Sequence, residues 1–306
     1  MELKERRRCL KVGLMAALAA GQTFSSRLGS ELQVRTKTSL SDVVTEVDGL
    51  CEQLIREMIQ AEFPRDTILG EESVGPGREA STTAIDAVWD ADSLWIVDPL
   101  DGTTNFVSSI PLSVVSIACA RAGKVTFGCV YDPYREEVFF ALEGEGAFLA
   151  KRVAVERWLQ IESASELETL PGQAMHVSDV EVFQHAVVAT GMPVRIAPQR
   201  RLTEAATEIA CQVKSFRALG AAALHLAYVA AGRLDAFWEF DLNSWDLAAG
   251  VFLIQMAGGI VQDSEGNSFS LRSRHVVAAG HEMLASNIRS VLQTFMTAEN
   301  SANEHR

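Results

Sequence analysis

The 306-residue sequence has no CxxC pair, and its five cysteines, Cys9, Cys51, Cys119, Cys129 and Cys211, are scattered and odd in number. That pattern argues against a structural zinc site and against a disulfide framework. The cysteines read as buried thiols in a reducing compartment, so a cytoplasmic location is expected. Basic charge is also in deficit, with 27 Lys and Arg against 40 Asp and Glu and a formal net charge of -13. No nucleic-acid or membrane partner is expected, because neither would be drawn by the overall field. No internal repeat or low-complexity tract is visible, and no segment is apolar for long enough to span a bilayer. The N-terminus comes nearest, since Lys4 to Arg8 followed by "CLKVGLMAALAAG" imitates a secretory signal. Lys11 interrupts that run, and Leu10, Leu14 and Leu18 follow helical spacing, so an amphipathic first helix is expected instead.

What is present is enough apolar residue, 48%, for a large buried core. A second helix is expected over Asp42 to Glu62, where Val47, Cys51, Leu54 and Met58 recur with helical period and Thr45 with Asp48 offers an N-terminal cap. "DTILGEES" reads as a short strand ending in acids, and Gly75 to Ser93 as a surface excursion. Runs at Ser113 to Ala120, Val125 to Tyr131, Glu137 to Leu142 and Ala147 to Ala150 are separated by turn residues and predict antiparallel hairpins. From about Val187 the short strands "VVAT", "SFRAL", "DAFWEF" and "GGIV" alternate with helical patterns at Leu202 to Gln212, Ala221 to Ala231 and Asp246 to Met256. The expectation is an α+β chain with an N-terminal half at 1–160, a C-terminal α/β half at 161–296 and a polar, frayed tail at 297–306.

The stretch "WIVDPLDGTTNF" (Trp95 to Phe106) closes a buried strand with two acids. Pro99 and Gly102 let Asp98 and Asp101 converge, and two such carboxylates repel unless they share a proton or a cation. Oxygen-only ligands suit magnesium or a similar hard ion. Gly102, Thr103 and Thr104 then offer backbone N–H groups and hydroxyls to an anion, which suggests phosphate. The same residues are also ordinary turn and cap chemistry. Glu71 and Glu72 of "GEES", and Asp246 at the start of a helix in "NSWDLAAG", add two further acid clusters at the ends of apolar runs.

With "SDVVTEVD" (Ser41 to Asp48), "GEES", "WIVDPLDGTTNF", "LGAAALHLAYVAAGRLDAFWE" (Leu219 to Glu239), "WDLAAG" and "AGG" in this order, nearly the whole chain resembles the inositol monophosphatase family. The resemblance implies a layered αβαβα sandwich, a Mg-dependent phosphomonoesterase with two or three Mg2+ ions per site, lithium sensitivity, and a homodimer. Position by position it implies that Glu71, Asp98, the carbonyl of Leu100, Asp101 and Asp246 are metal ligands, with Glu72 at the edge of the site. It implies that Glu71 and Thr103 orient and deprotonate the attacking water, supported by Asp48. Gly102 and Thr103 match positions that hold phosphate, and Gly220, Ala221, Ala222 and Glu239 match positions that line the alcohol side.

Ser108, Ser109 and Ala221 depart from the family pattern, which leaves the substrate more open than the reaction. Inositol 1-phosphate is the first reading, and histidinol phosphate or another sugar phosphate the alternative. A noncatalytic regulatory binding protein is a third, because a bacterial relative is associated with the transcription machinery. Lys37, a lone lysine in a polar loop, is expected to be solvated. His225, and Phe237, Trp238 and Phe240, are expected in packing roles.

Overall fold

The computed structural model describes residues 3–37, 43–161, 169–192 and 196–303. It is a five-layer sandwich, helices alternating with sheets. The first layer is α1 (Leu3–Ser25) and α2 (Glu46–Glu62), with a small ribbon of β1 (Val34–Thr36) and β2 (Val43–Thr45) between them in sequence. The second layer is a seven-stranded sheet. Its strands in spatial order are β3 (Thr67–Gly70), β4 (Ser93–Asp101), β5 (Val114–Arg121), β6 (Lys124–Asp132), β7 (Glu137–Leu142), β8 (Gly146–Lys151) and β9 (Gln173–Ala174). Only β3 and β4 pair in parallel; every later pair is antiparallel, as the turn chemistry predicts.

Three short helices decorate this half: α3 (Arg78–Ala87), α4 (Thr103–Val107) and α5 (Arg152–Leu159). A five-stranded sheet forms the fourth layer, from β10 (Val187–Thr190), β11 (Ser215–Arg217), β12 (Ala236–Phe240), β13 (Ile260–Gln262) and β14 (His275–Ala279), ordered β11-β10-β12-β14-β13. Between the two sheets lie α7 (Ala222–Ala230) and α8 (Ser244–Met256). Outside the second sheet lie α6 (Ile196–Gln212) and α9 (Glu282–Asn303).

Burial on both faces explains the sequence texture. On β4, Trp95 and Val97 face the α1–α2 core while Leu94 and Ile96 face the α7–α8 core. Such a strand reads as a continuous apolar run, not an alternation. The middle helix α8 is buried from Ser244 to Ile254 except at Asp246, and is apolar on all sides for the same reason. On α1 the sheet approaches so closely that a Cβ on Gly13 would come within 2.2 Å of the Phe127 ring. The basic run of that helix is consumed in ion pairs: Arg6 with Glu143, Arg7 with Glu145 and Arg8 with Glu62.

Some expectations need correction. The second helix begins at Glu46, because Val43–Thr45 is extended and Thr45 is its N-cap; Ser41 and Asp42 lie outside the described residues. The supposed excursion at 75–93 contains α3, whose three alanines, Arg78 and Glu79 favour a helix and which sets Ser81 and Ile85 inward. Backbone of α9 continues helical through Asn303, into the stretch expected to fray. The chain before and after residue 160 contributes β8 and β9 to one sheet.

Candidate active site

Asp98 and Asp101 lie at the end of β4, whose residues are buried throughout. Residues three apart on a regular strand point to opposite faces. Here the pairing with β5 shifts register between Asp98 and Asp101, so the alternation is broken where the two acids need to converge. Asp98 Oδ1 accepts from the Leu100 N–H at 3.0 Å, and Asp101 accepts from the N–H groups of Ala222 at 3.3 Å and Ala223 at 2.7 Å, at the start of α7. Gly102 then turns the chain with φ of 92°, and a Cβ there would meet the Leu112 carbonyl oxygen at 2.8 Å. Only glycine fits such a position.

Three other segments converge on this point. Glu71 and Glu72 occupy a single 3-10 turn directly after β3, the parallel neighbour of β4. Asp246 is the third residue of α8 and closes a capping box, its Oδ2 accepting from the Asn243 N–H at 2.6 Å. Asp48 does the same for α2, accepting from the N–H and hydroxyl of Thr45 at 2.9 and 2.5 Å. The Thr103 hydroxyl lies 3.0 Å from Asp48 Oδ1 and 3.1 Å from the Leu100 carbonyl oxygen. Having one hydrogen, it serves one of these acceptors at a time.

Glu71, Asp98 and Asp246 each bring an oxygen within 4.8 Å of the others. Burial pushes the Asp98 carboxyl well above the usual range, and Glu71, Asp101 and Asp246 push it further. Asp246 is raised well up in the same way, by burial, then Glu71 and Asp101. Asp101 rises to about 7 through burial, held from going higher by the Ala223 N–H, and Glu72 to about 7 through burial and Glu71. Asp48 is raised by burial, against the opposing bonds from Thr45. Acids so placed carry a repulsion that protons or cations must relieve. Lys37 relieves part of it. Instead of being solvated, its Nζ lies 2.8 Å from Glu71 and 2.9 Å from Glu72. Burial opposes its charge, but the two carboxylates outweigh that and raise its pKa. Asp98 has no ion pair among the described residues, and its all-oxygen surroundings fit a hard divalent ion.

A cavity of about 220 Å³ opens beside Glu71 and Asp246, with Lys37, Glu239, Asp241 and Arg274 also on its walls. Glu239, on β12, is raised well above the usual range by burial, then by Asp246 and Asp101, and its carboxylate accepts no hydrogen bond among the described residues. Gly220, Ala221 and Ala222 lead into α7. Their approach is fixed by Asn105, which donates to the Leu219 carbonyl at 2.7 Å, and by His225 Nε2, which accepts from the Leu219 N–H at 2.9 Å. His225 stacks on Phe237 with ring centroids 4.8 Å apart and is held neutral, burial pulling its pKa down to about 3. It is a core residue, as are Phe237, Trp238 and Phe240. Neither Ser108 nor Ser109 lines the cavity, and Ala221 is 1% exposed.

Sequence reading missed Arg274 and Glu52. The Arg274 guanidinium binds Asp241, Ser81 and the Asn243 side chain at 2.8, 2.9 and 2.8 Å, tying β14 and α3 to the cap that presents Asp246. No local pattern could have revealed contacts 31 and 193 residues apart.

A buried carboxylate cluster at the meeting of two sheets, beside a polar cavity, defines a metal-dependent hydrolase site in form. Comparison makes the assignment specific. Residues 5–295 match the family model described as the inositol monophosphatase family. The chain is 36% identical over 288 residues to inositol-1-monophosphatase of Rhizobium meliloti, covering 93% of this chain and 96% of that one. It is 38% identical over 273 residues to Nus factor SuhB of Pseudomonas aeruginosa, covering 88% and 90%. Among solved structures, the extragenic suppressor protein suhB of Bartonella henselae superposes with a TM-score of 0.77 at 32% identity, over 94% of this chain and 98% of that one. The protein belongs to the inositol monophosphatase family, a family of metal-dependent phosphomonoesterases.

Proposed function

We propose that the protein hydrolyses a small polyol phosphate monoester, inositol 1-phosphate first among them, with Mg2+ as its cofactor. The observation that carries the reading is the triad of Glu71, Asp98 and Asp246 oxygens within 4.8 Å, with Asp101 beside it. Glu71, Asp98, the Leu100 carbonyl, Asp101 and Asp246 would hold two or three ions, with Glu72 at the edge. Bound magnesium supplies charge neutralisation for the phosphoryl oxygens, an acidified water and cover for the departing alkoxide.

The remaining chemistry falls to the chain. Asp48 holds the Thr103 hydroxyl, and a water accepted between Thr103 Oγ1 and Glu71 gives its proton toward the Glu71 carboxylate as it attacks phosphorus. Backbone N–H groups after Gly102 face the phosphoryl oxygens. On the alcohol side Glu239 is partly buried on the cavity wall and accepts no hydrogen bond among the described residues, so hydroxyls of the substrate satisfy it. No covalent phosphoenzyme is required. The cysteines are free thiols, four of them buried as expected and Cys211 exposed on α6 instead, which fits a cytoplasmic enzyme, and a homodimer is expected from family likeness.

Glu239 also suits the ammonium group of histidinol phosphate by charge, which makes that ester the alternative. Relatives named as Nus factors keep a regulatory role as a third reading. The test is phosphate release from inositol 1-phosphate and histidinol phosphate in parallel, with Mg2+ and then with added lithium. Lithium-sensitive turnover of the inositol ester is expected. Preference for histidinol phosphate would shift the substrate, and turnover of neither ester would overturn the enzymatic reading for both.

A further inference from the structure

One polar row on α2 reaches two different parts of the site. Asp48, Glu52 and Arg56 are spaced four apart, so they stack along one helix face. The adjoining row, about 100° round the helix, with Val47, Cys51, Ile55 and Ile59, is fully buried in the core under α1 and fixes the helix against the sheet. Asp48 holds Thr103, as described above. Glu52, one turn on, is 3% exposed and holds the turn that carries Glu71 and Glu72. Its Oε2 accepts from the Glu72 N–H at 2.7 Å, and its Oε1 accepts from the Ser73 hydroxyl and from Arg56 Nε at 2.9 Å. Arg56 in turn donates to Ser73 Oγ at 2.7 Å.

The turn needs this help. Its N-cap, Gly70, has no side chain to satisfy the first N–H groups, and Glu52 serves as a cap supplied from another element. The fit is close, since a Cβ on Gly70 would lie 2.5 Å from the Glu52 carboxyl carbon. A carboxylate this buried is costly unless fully hydrogen-bonded, and its three donors all belong to the turn or to its own helix.

We infer that Glu52 is a positioning residue: α2 is the template that sets Glu71 against Thr103, with Asp48 gripping one and Glu52 the other. The inference rests on the functional reading above. Without Glu52 the Glu71 turn loses its cap, and both water orientation and divalent-ion binding by Glu71 suffer while the alcohol pocket, built on α7 and β12, does not. Supporting groups of this kind typically change activity or ion affinity by about 10–100-fold.

The experiment compares wild type, Glu52→Ala, Glu52→Gln and Ser73→Ala, with Arg7→Ala as a control for stability lost at the distant Arg7–Glu145 pair. Mg2+ binding is read by calorimetry, and kcat, KM and thermal midpoint are read alongside. Glu52→Ala is expected to weaken Mg2+ binding and kcat by at least about tenfold with KM within about twofold, and Glu52→Gln, which keeps one acceptor, to recover part of both. Should Glu52→Ala fail to fold, Ser73→Ala must show the same pattern in smaller degree. Mg2+ binding and kcat within twofold of wild type, or equal losses in Arg7→Ala, would overturn the inference. An inactive wild type would instead count against the functional reading, and the Mg2+ isotherms would still decide the role of Glu52.

Discussion

Replacing Asp101 with Asn should make the protein more stable in chelator and inactive with Mg2+. Asp101 is 8% exposed and its carboxyl is raised from 3.8 to about 7. At about 1.4 kcal/mol per unit, its charge costs the folded state about 4 kcal/mol above pH 7. An amide has the same shape and no charge, so that cost disappears. Against this stand the bonds from Ala222 to Oδ1 and from Ala223 to Oδ2: an amide offers one acceptor oxygen, so one of the two N–H groups is left facing its NH2, at a cost of about 2 kcal/mol. The net expectation is a gain of about 2 kcal/mol, or roughly 3 °C in the thermal midpoint measured in EDTA. The same change removes a candidate ion ligand, so phosphate release should fall below detection. If Asp101 were only a helix cap, Asn would serve nearly as well and both quantities would stay close to wild type. A chelated variant that melts at or below wild type while turning over substrate would refute the reasoning.

Three further outcomes follow from the same geometry. In chelator, Asp101 and Glu72, with folded values near 7, bind protons more tightly than in the unfolded chain, so stability should fall as the pH rises from about 4.5 to about 7 and level off above it. His225 and His275, both pulled down by burial, oppose this below about pH 6.5 but are outnumbered once the raised carboxyls of Asp98, Asp246 and Glu239 are added; a midpoint that rises over the interval would contradict the carboxylate assignment. Lys37→Met should lower the chelated midpoint by about 1–2 kcal/mol equivalent and enlarge the rise produced by Mg2+, since Glu71 and Glu72 lose their shared partner. Equal Mg2+ shifts in both proteins would show that Lys37 does not compete for that charge. Glu239→Gln should raise KM for a polyol ester by roughly tenfold with little change in kcat, the signature of a lost ground-state contact; steady-state kinetics with an unchanged KM would remove Glu239 from the pocket.

The parts of the fold that were legible in the sequence are those specified over short distances. The hairpins of β5 to β8 carry their own turn residues, and β4 announces itself as a buried run stopped by Asp98, Pro99 and Gly102. By contrast α3 was hidden by its surroundings: Gly75, Pro76 and Gly77 precede it and Ser81, Thr82 and Thr83 sit inside it, so the stretch reads as loop although Arg78, Glu79 and three alanines favour a helix, and the sandwich offers Ser81 and Ile85 a place to pack. Lys37 looked solvated because its partners are 34 and 35 residues away, and a lysine in a polar loop carries no mark of a distant pair of acids. Glu52 was hidden for a related reason: on a helix, a buried polar residue and an exposed one have the same spacing.

The acids themselves were legible because each is fixed by a bond to its own neighbourhood. Asp98 accepts from Leu100, Asp48 from Thr45 and Asp246 from Asn243, all within three residues. Cap chemistry and ligand chemistry had looked like rival explanations of these positions, yet Asp48 and Asp246 each use one oxygen to close a capping box while the carboxylate as a whole faces the site. The local bond orients the side chain before any cation arrives, which is what a carboxylate needs if it is to stay rigid beside others that repel it. Asp101 is the exception that fits the rule: its donors are 121 and 122 residues away on α7, so it joins the two halves of the molecule at the point where the chemistry is placed.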